Sequence, residues 1–295
     1  FDKNIINIKK NMFIPEGYIL QGHPGLTLNL QDNSSIYSKS AFDFRGTSSN
    51  PITITSFDRK GGGLVIISPK KESIFTNTLF KYLSSPNKGA SGLTGSISIY
   101  DTSVSFNSCT FNQNKSEDFL NLIHSNYKIV DSAFESVHSD GFDSDHSIGK
   151  IINSTFKDIG NDALDFSGSV SHLSGININR IGDKALSVGE KSKVLGHDIY
   201  INNSEIGITS KDKSTISLKG VHLMNTKLGF AVFQKKEEYG PASAKIKNLE
   251  LINVKRLYLL EANSHLSLNE DEILTKQSGV ESLLYGGGYG GGCGG

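Results

Sequence analysis

Cysteine is nearly absent, with two in 295 residues. Cys109 sits in FNSCTF at the same parity as Phe111, where a free thiol reads as a small buried side chain and not as a nucleophile. Cys293 lies in a run of glycines, so a disulfide framework is not supported. An excess of one charge is also missing. Thirty basic residues balance thirty acidic ones, which leaves no bulk field to draw the chain to nucleic acid or to an anionic membrane. No apolar run approaches the ~18 residues of a membrane span, and a hydrophobic content of 36% suffices for a soluble core. The chain opens at Phe1 without methionine, charged n-region or apolar h-region, as expected of a processed product or a piece of a larger multidomain protein.

What is present is a period. From Asp118 the same pattern returns at Asp140, Asp162, Lys184, Ile206 and Leu228, in steps of 22 residues. SEDFLNL, SDGFDSD, NDALDFS, DKALSVG, EIGITSK and KLGFAVF are six versions of one segment. Two apolar columns accompany it at steps of 22 or 23: Phe106, Ile129, Ile151, Leu173, Leu195 and Leu218, and then Phe111, Phe134, Phe156, Ile178, Tyr200 and Leu223. A fixed period in this range means stacked repeats, each too small to bury its own apolar face.

Within each copy the apolar residues alternate over short stretches bounded by Gly, Asn, Asp and Ser, which is a strand pattern. Leu164 and Phe166 flank Asp165, and Leu186 and Val188 flank Ser187. Alternation therefore puts Asn121, Asp143, Asp165, Ser187 and Thr209 in one outward row. Leucine-rich spacing and a helical period are both missing. The architecture left is all-β: a single-stranded right-handed parallel β-helix, a solenoid with about 22 residues per coil, whose rungs lie about 4.8 Å apart.

Residues 1–50, short strand-like pieces broken by Gly, Pro and Asn, read as irregular first coils that cap an open end. Residues 51–285 read as the helix proper, and 286–295 as a flexible glycine-rich tail. From Gln234 to Ser243 an insertion lengthens one coil to 28 residues and belongs in a surface loop.

Chemistry is expected on the outward face of the middle coils. SDGFDSDHS supplies Asp140, Asp143, Asp145 and His146; GNDALDFSGS supplies Asp162 and Asp165; GDKALSVGE supplies Asp183, Lys184 and Glu190. Stacking makes Asp140 a neighbour of Asp162, Asp162 of Lys184, and Asp143 of Asp165. Carboxylates on adjacent rungs repel unless a cation, a shared proton or solvent separates them. Three readings stand side by side. Asp, Asn and Gly before each strand are turn residues, which suits SDG, GND and GDK but not the in-strand Asp143 and Asp165. Alternatively Asp140, Asp143, Asp162 and Asp165 bind Ca²⁺. In the third reading two acids cleave a glycosidic bond, with no cofactor required.

At these segments the chain resembles the polygalacturonase-like glycoside hydrolases of the pectin-lyase-like superfamily. SDGFDSDHS, GNDALDFSGS and GDKALSVGE follow one another as that family's NTDG, GDD and GHG segments do, and EIGITSK stands where it has G-I-R-I-K. The resemblance covers about 75 residues. It implies a right-handed β-helix with Asp140 at the NTDG aspartate, Asp162 at the second aspartate of the GDD pair and Lys211 at the lysine that holds a substrate carboxylate. If the chain is an enzyme, Asp165 and Lys184 join these three as catalytic candidates, and Asp143, His146, Asn161, Asp183, Ser187 and Thr209 are expected to line the substrate. The departures are an amide, Asn161, at the proton donor's position, Asp183 or Lys184 at the histidine's, and Thr209 at the arginine's. An amide cannot protonate a leaving oxygen. The whole chain is also similar to the β-helix modules of bacterial surface proteins that can accompany spore-coat-H-type kinase domains. That similarity implies a secreted or cell-surface, non-catalytic module whose acidic outer face binds polysaccharide or a surface protein. Lyases and epimerases acting on uronates share the architecture.

Overall fold

The computed structural model describes residues 4–86 and 93–288, and they form a parallel β-helix of about 11 turns. In the middle of the chain each coil carries three short strands. Asp118–Ile123, Asn126–Val130 and Ala133–Val137 pair in parallel with Asp140–Asp145, Ile148–Ile152 and Thr155–Ile159 of the next coil. The ladder already begins at Ile5–Ile8, which pairs with Thr27–Leu30. Coil length varies most near the start, where Leu79 faces Thr110. The last parallel pair joins Ser243–Leu260 to His265–Leu268, so the parallel coils stop short of residue 285. Most of the glycine-rich tail, 289–295, lies outside the described residues. None of the described helices is long and apolar enough to cross a membrane.

Alternation and rung spacing together build the core. Phe80, Phe111, Phe134 and Phe156 stack face to face, with ring centroids 5.0, 4.2 and 4.7 Å apart, because residues of one column sit about one interstrand distance apart. Cys109 is buried beside them, as expected, and burial pushes its thiol up to about 12. Buried serines line the corner between the first and second strands. The backbone N–H of Ser125, Ser147 and Ser169 donates to the hydroxyl of Ser147, Ser169 and Ser192, each at 2.9 Å. A polar residue is tolerated there because its hydroxyl satisfies a backbone group that the bend takes out of the ladder.

Two predicted columns are displaced by one residue in the later coils. Leu173 faces Gly196, and Ile178 faces Ile201. Leu195 and Tyr200, expected in the core, therefore project outward at 39% and 42% exposure. The cause is an extra residue in the turn after Val188, where Glu190 and Lys191 both take positive φ. A one-residue slip moves every side chain to the opposite face. The step returns to 22 between Ile181 and Lys184. The turn reading needs a similar correction. Left-handed residues occupy the other corners, at Asp131, Asn153, Gly175, Asp198 and Gly220, whereas Asp140 lies within a strand and neither Asp162 nor Asp183 takes positive φ.

The C-terminal part of the described chain roofs one end of the outer face. Val280–Leu283 forms a helical turn that runs into Leu284–Gly288. Val280 and Leu284 bury themselves against Ile206, Leu228, Ala231, Phe233 and Leu259. Glu261 fastens this strap: its carboxylate accepts the N–H of Gly279 at 3.2 Å and that of Gln234 at 2.8 Å. Gln234 opens the insertion, which lies outside the strands over 234–242, its last residue Ser243 beginning the next strand.

Candidate functional site

The expected row exists in register. Asn121 faces Asp143, Asp143 faces Asp165, Asp165 faces Ser187, and Ser187 faces Thr209. It points away from the core, yet only its acidic part is partly open. Ser187 and Thr209 are fully buried beside Ala231, which packs against Val280 and Leu284. A polymer cannot reach Ser187 or Thr209 in this arrangement, and their expected role in lining a substrate is not available to them there.

Parallel to this row runs Asp118, Asp140, Asp162 and Lys184. Asp140 holds the turn beneath it, accepting the Asn161 amide at 2.7 Å and the Asp162 N–H at 2.9 Å. Asp162 accepts the Lys184 N–H at 3.0 Å and its ammonium at 3.4 Å, while the Asp183 carboxylate makes the closer contact to that ammonium. Asp162, Asp183 and Lys184 are 4 to 5% exposed. Lys211 bends over Gly189 to reach the Ser187 hydroxyl at 3.3 Å. Tyr285 of the strap sits over this end, with Lys184 Nζ 5.8 Å and Lys235 Nζ 4.8 Å from its ring centre. His146 stands at a corner with positive φ, stacked on His124 at 5.2 Å, and not among the carboxylates.

Seven carboxylates thus meet two lysines, and burial settles the balance. It pushes Asp118 up to about 6 and Asp140 and Asp162 each up to about 7, in Asp162 against the pull of Lys184. Burial, with the neighbouring carboxylates Asp145, Asp118 and Asp165, also lifts Asp143 well above the usual range. Burial works against the charge of Lys184, but the carboxylates of Asp162 and Asp183 hold it above the ordinary lysine value. Lys211 is raised too: burial works against its charge, but Asp165, Tyr285 and Asp162 together outweigh it. Burial and neighbouring like charges thus favour the protonated form of these aspartates.

Among the described residues no group of three or more His, Cys, Asp or Glu converges to hold a metal ion. Oδ1 of Asp140 and of Asp162 is already committed to donors of the chain.

Sequence reasoning passed over Gly189 and Tyr285 and gave Asp118 no role beyond the period. Asp118 heads the column that carries Asp140 and Asp162, so its place was readable. Tyr285 gave no signal, because the strap lies outside the repeat.

No protein-family model matches the chain, and no curated protein matches it. Among solved structures, a single-residue variant of the catalytic domain of a GH87 alpha-1,3-glucanase in complex with nigerose aligns at 12% identity and a TM-score of 0.40. The alignment covers 88% of this chain and 63% of that one. Alginate lyase from Paenibacillus sp. str. FPU-7 aligns at 11% identity and a TM-score of 0.35, over 84% of this chain and 99% of that one. The catalytic unit of a GH87 alpha-1,3-glucanase from Streptomyces thermodiastaticus strain HF3-3 aligns at 8% and 0.31, over 87% and 61%. The chain spans under two thirds of the glucanase chains' length, and likeness at this level says nothing about chemistry.

Proposed function

We propose that this chain is a non-catalytic β-helix module that engages polysaccharide along its ribbed exterior. The observation that carries the reading is the state of the residues matching a hydrolase's acids. Asp162 is 4% exposed and bound to Lys184, and an amide, Asn161, occupies the donor position and hydrogen-bonds Asp140. A general acid must reach the leaving oxygen directly or through one water, and Asp162 is sealed from both. The acid-lined stretch left open is short, confined to Asp140, Asp143, Asp145 and Asp165. The likeness to modules of bacterial surface proteins extends the proposal to a secreted or cell-surface setting within a larger protein, with a surface protein as the other class of partner.

A second reading, an enzyme acting on polysaccharide, has one observation in its favour: Asp140 and Asp162 are pushed to about 7, a range suited to acid-base work at neutral pH. The two separate in one experiment. Incubation with pectins, alginates and glucans, following reducing ends, unsaturated products and retention on each polymer, should show retention without turnover. Turnover that Asp162→Asn abolishes would replace the module by a hydrolase, lyase or epimerase.

A further inference from the structure

The charge that cancels over the whole chain is sorted by face. Past the corner that follows the acid-lined strand, outward rows run along the second strand of each coil. There Lys128, Lys150, His172, Lys193, Lys219 and Lys245 place one basic residue on each of six consecutive coils, all of them exposed. No Asp or Glu stands in these rows between the coil of Asn126 and that of Ser243. Among the described residues the five lysines named form no salt bridge; at the edges of the face Lys247 pairs with Glu270 at 2.9 Å and His197 meets Asp198 at 2.8 Å. Between the lysines, Ile148, Val170 and Leu195 are exposed on successive coils.

We infer that this face binds an anionic linear polysaccharide, a polyuronate, lying along the helix axis. The inference rests on the polysaccharide reading above and names the surface and the polymer class. Rungs repeat at about 4.8 Å, so five lysines and His172, spread over three neighbouring outward rows, span roughly 24 Å along the axis. An extended pyranose chain advances by about one rung per sugar, and a polyuronate carries one carboxylate on each. The aliphatic side chains between the lysines suit the C–H faces of sugar rings. Single-stranded nucleic acid binds on aromatic platforms, and these rows hold no Phe or Tyr. Duplex DNA packs a charge every ~1.7 Å, denser than the rungs.

The test compares the chain with the combined variant Lys128→Gln, Lys150→Gln, Lys193→Gln and Lys219→Gln for binding to polygalacturonate, alginate, an uncharged glucan and a single-stranded oligonucleotide. The parent should bind the polyuronates and weaken as salt rises. The variant should bind them about tenfold or more weakly, with an unchanged melting temperature because these side chains are exposed. Equal binding by the variant, or an oligonucleotide that competes as well as polygalacturonate, would overturn the inference. Retention on the uncharged glucan alone would also overturn it, while leaving the module reading in place. Loss of affinity in the variant supports this face whether or not the polymer is cleaved.

Discussion

The side chain of Lys211 lies across Gly189, one rung away, and donates to the Ser187 hydroxyl at 3.3 Å. A Cβ at Gly189 would stand 2.8 Å from Lys211 Cε, so the glycine is what lets the stem lie flat and bring its ammonium toward Asp165.

Gly189→Ala should therefore lift Lys211 off the row at a cost of about 1 kcal/mol, the low end for overpacking, because the atoms in the way belong to a flexible stem. Chemical denaturation measures it, and an unshifted midpoint would show that the stem has another path to Ser187.

Stability should fall as pH rises. Asp118, Asp140 and Asp162 titrate at about 6, 7 and 7 in the fold, against about 3.9 in an unfolded chain. Between these limits the folded state holds protons that the unfolded chain has released. Their contribution is fully present below about pH 4 and is lost as pH climbs through 6 to 7. Thermal melts should give a lower melting temperature at pH 8 than at pH 5, with a smaller drop in Asp162→Asn. A melting temperature that rises across this window would contradict the protonated ladder.

Lys184→Met keeps the bulk and removes the cation between Asp162 and Asp183. Breaking a buried pair from one side costs about 3–5 kcal/mol, and the loss should be greatest at pH 8. At pH 5 Asp162 can hold its proton. Adding Asp183→Asn should recover part of the loss, and a double variant no more stable than the single one would argue against the pairing.

The strap should open without unfolding the coils. Leu284→Asp places a charge in the cluster of Val280, Ile206, Leu228 and Phe233, and limited proteolysis within 274–286 should speed up about tenfold or more, as expected of a local opening. The melting temperature of the coils should move little. Cleavage at the original rate would mean that Glu261 alone holds the segment.

Millimolar Ca²⁺ should leave the melting temperature unchanged, since ligands that bind only the folded state raise it and the carboxylates do not converge on a point. A rise of several degrees would revive the metal reading.

Much of the fold was legible because the repeat is local information. A period of 22 with apolar alternation specified the parallel ladder, and it brought Asp140, Asp143, Asp162, Asp165 and Lys184 onto neighbouring rungs as the structure has them. The failures were a matter of counting. One extra residue at Glu190 and Lys191 turned Leu195 and Tyr200 outward, and a turn insertion leaves no trace in apolar alternation until the next coil is aligned.

By itself the sequence determined which residues share a row, because alternation and period are set along the chain. Tertiary structure alone decided what each row meets. Its strap packs beside Ala231 next to the buried Ser187 and Thr209 and sets Tyr285 over the buried Lys184, and burial in this part of the face raises the aspartates above the usual carboxylate range. It also gathers lysines scattered from 128 to 245 onto one sheet face of a chain whose total charge is zero. Desolvation and field depend on what lies within a few ångströms in space, and no pattern read along one strand contains that.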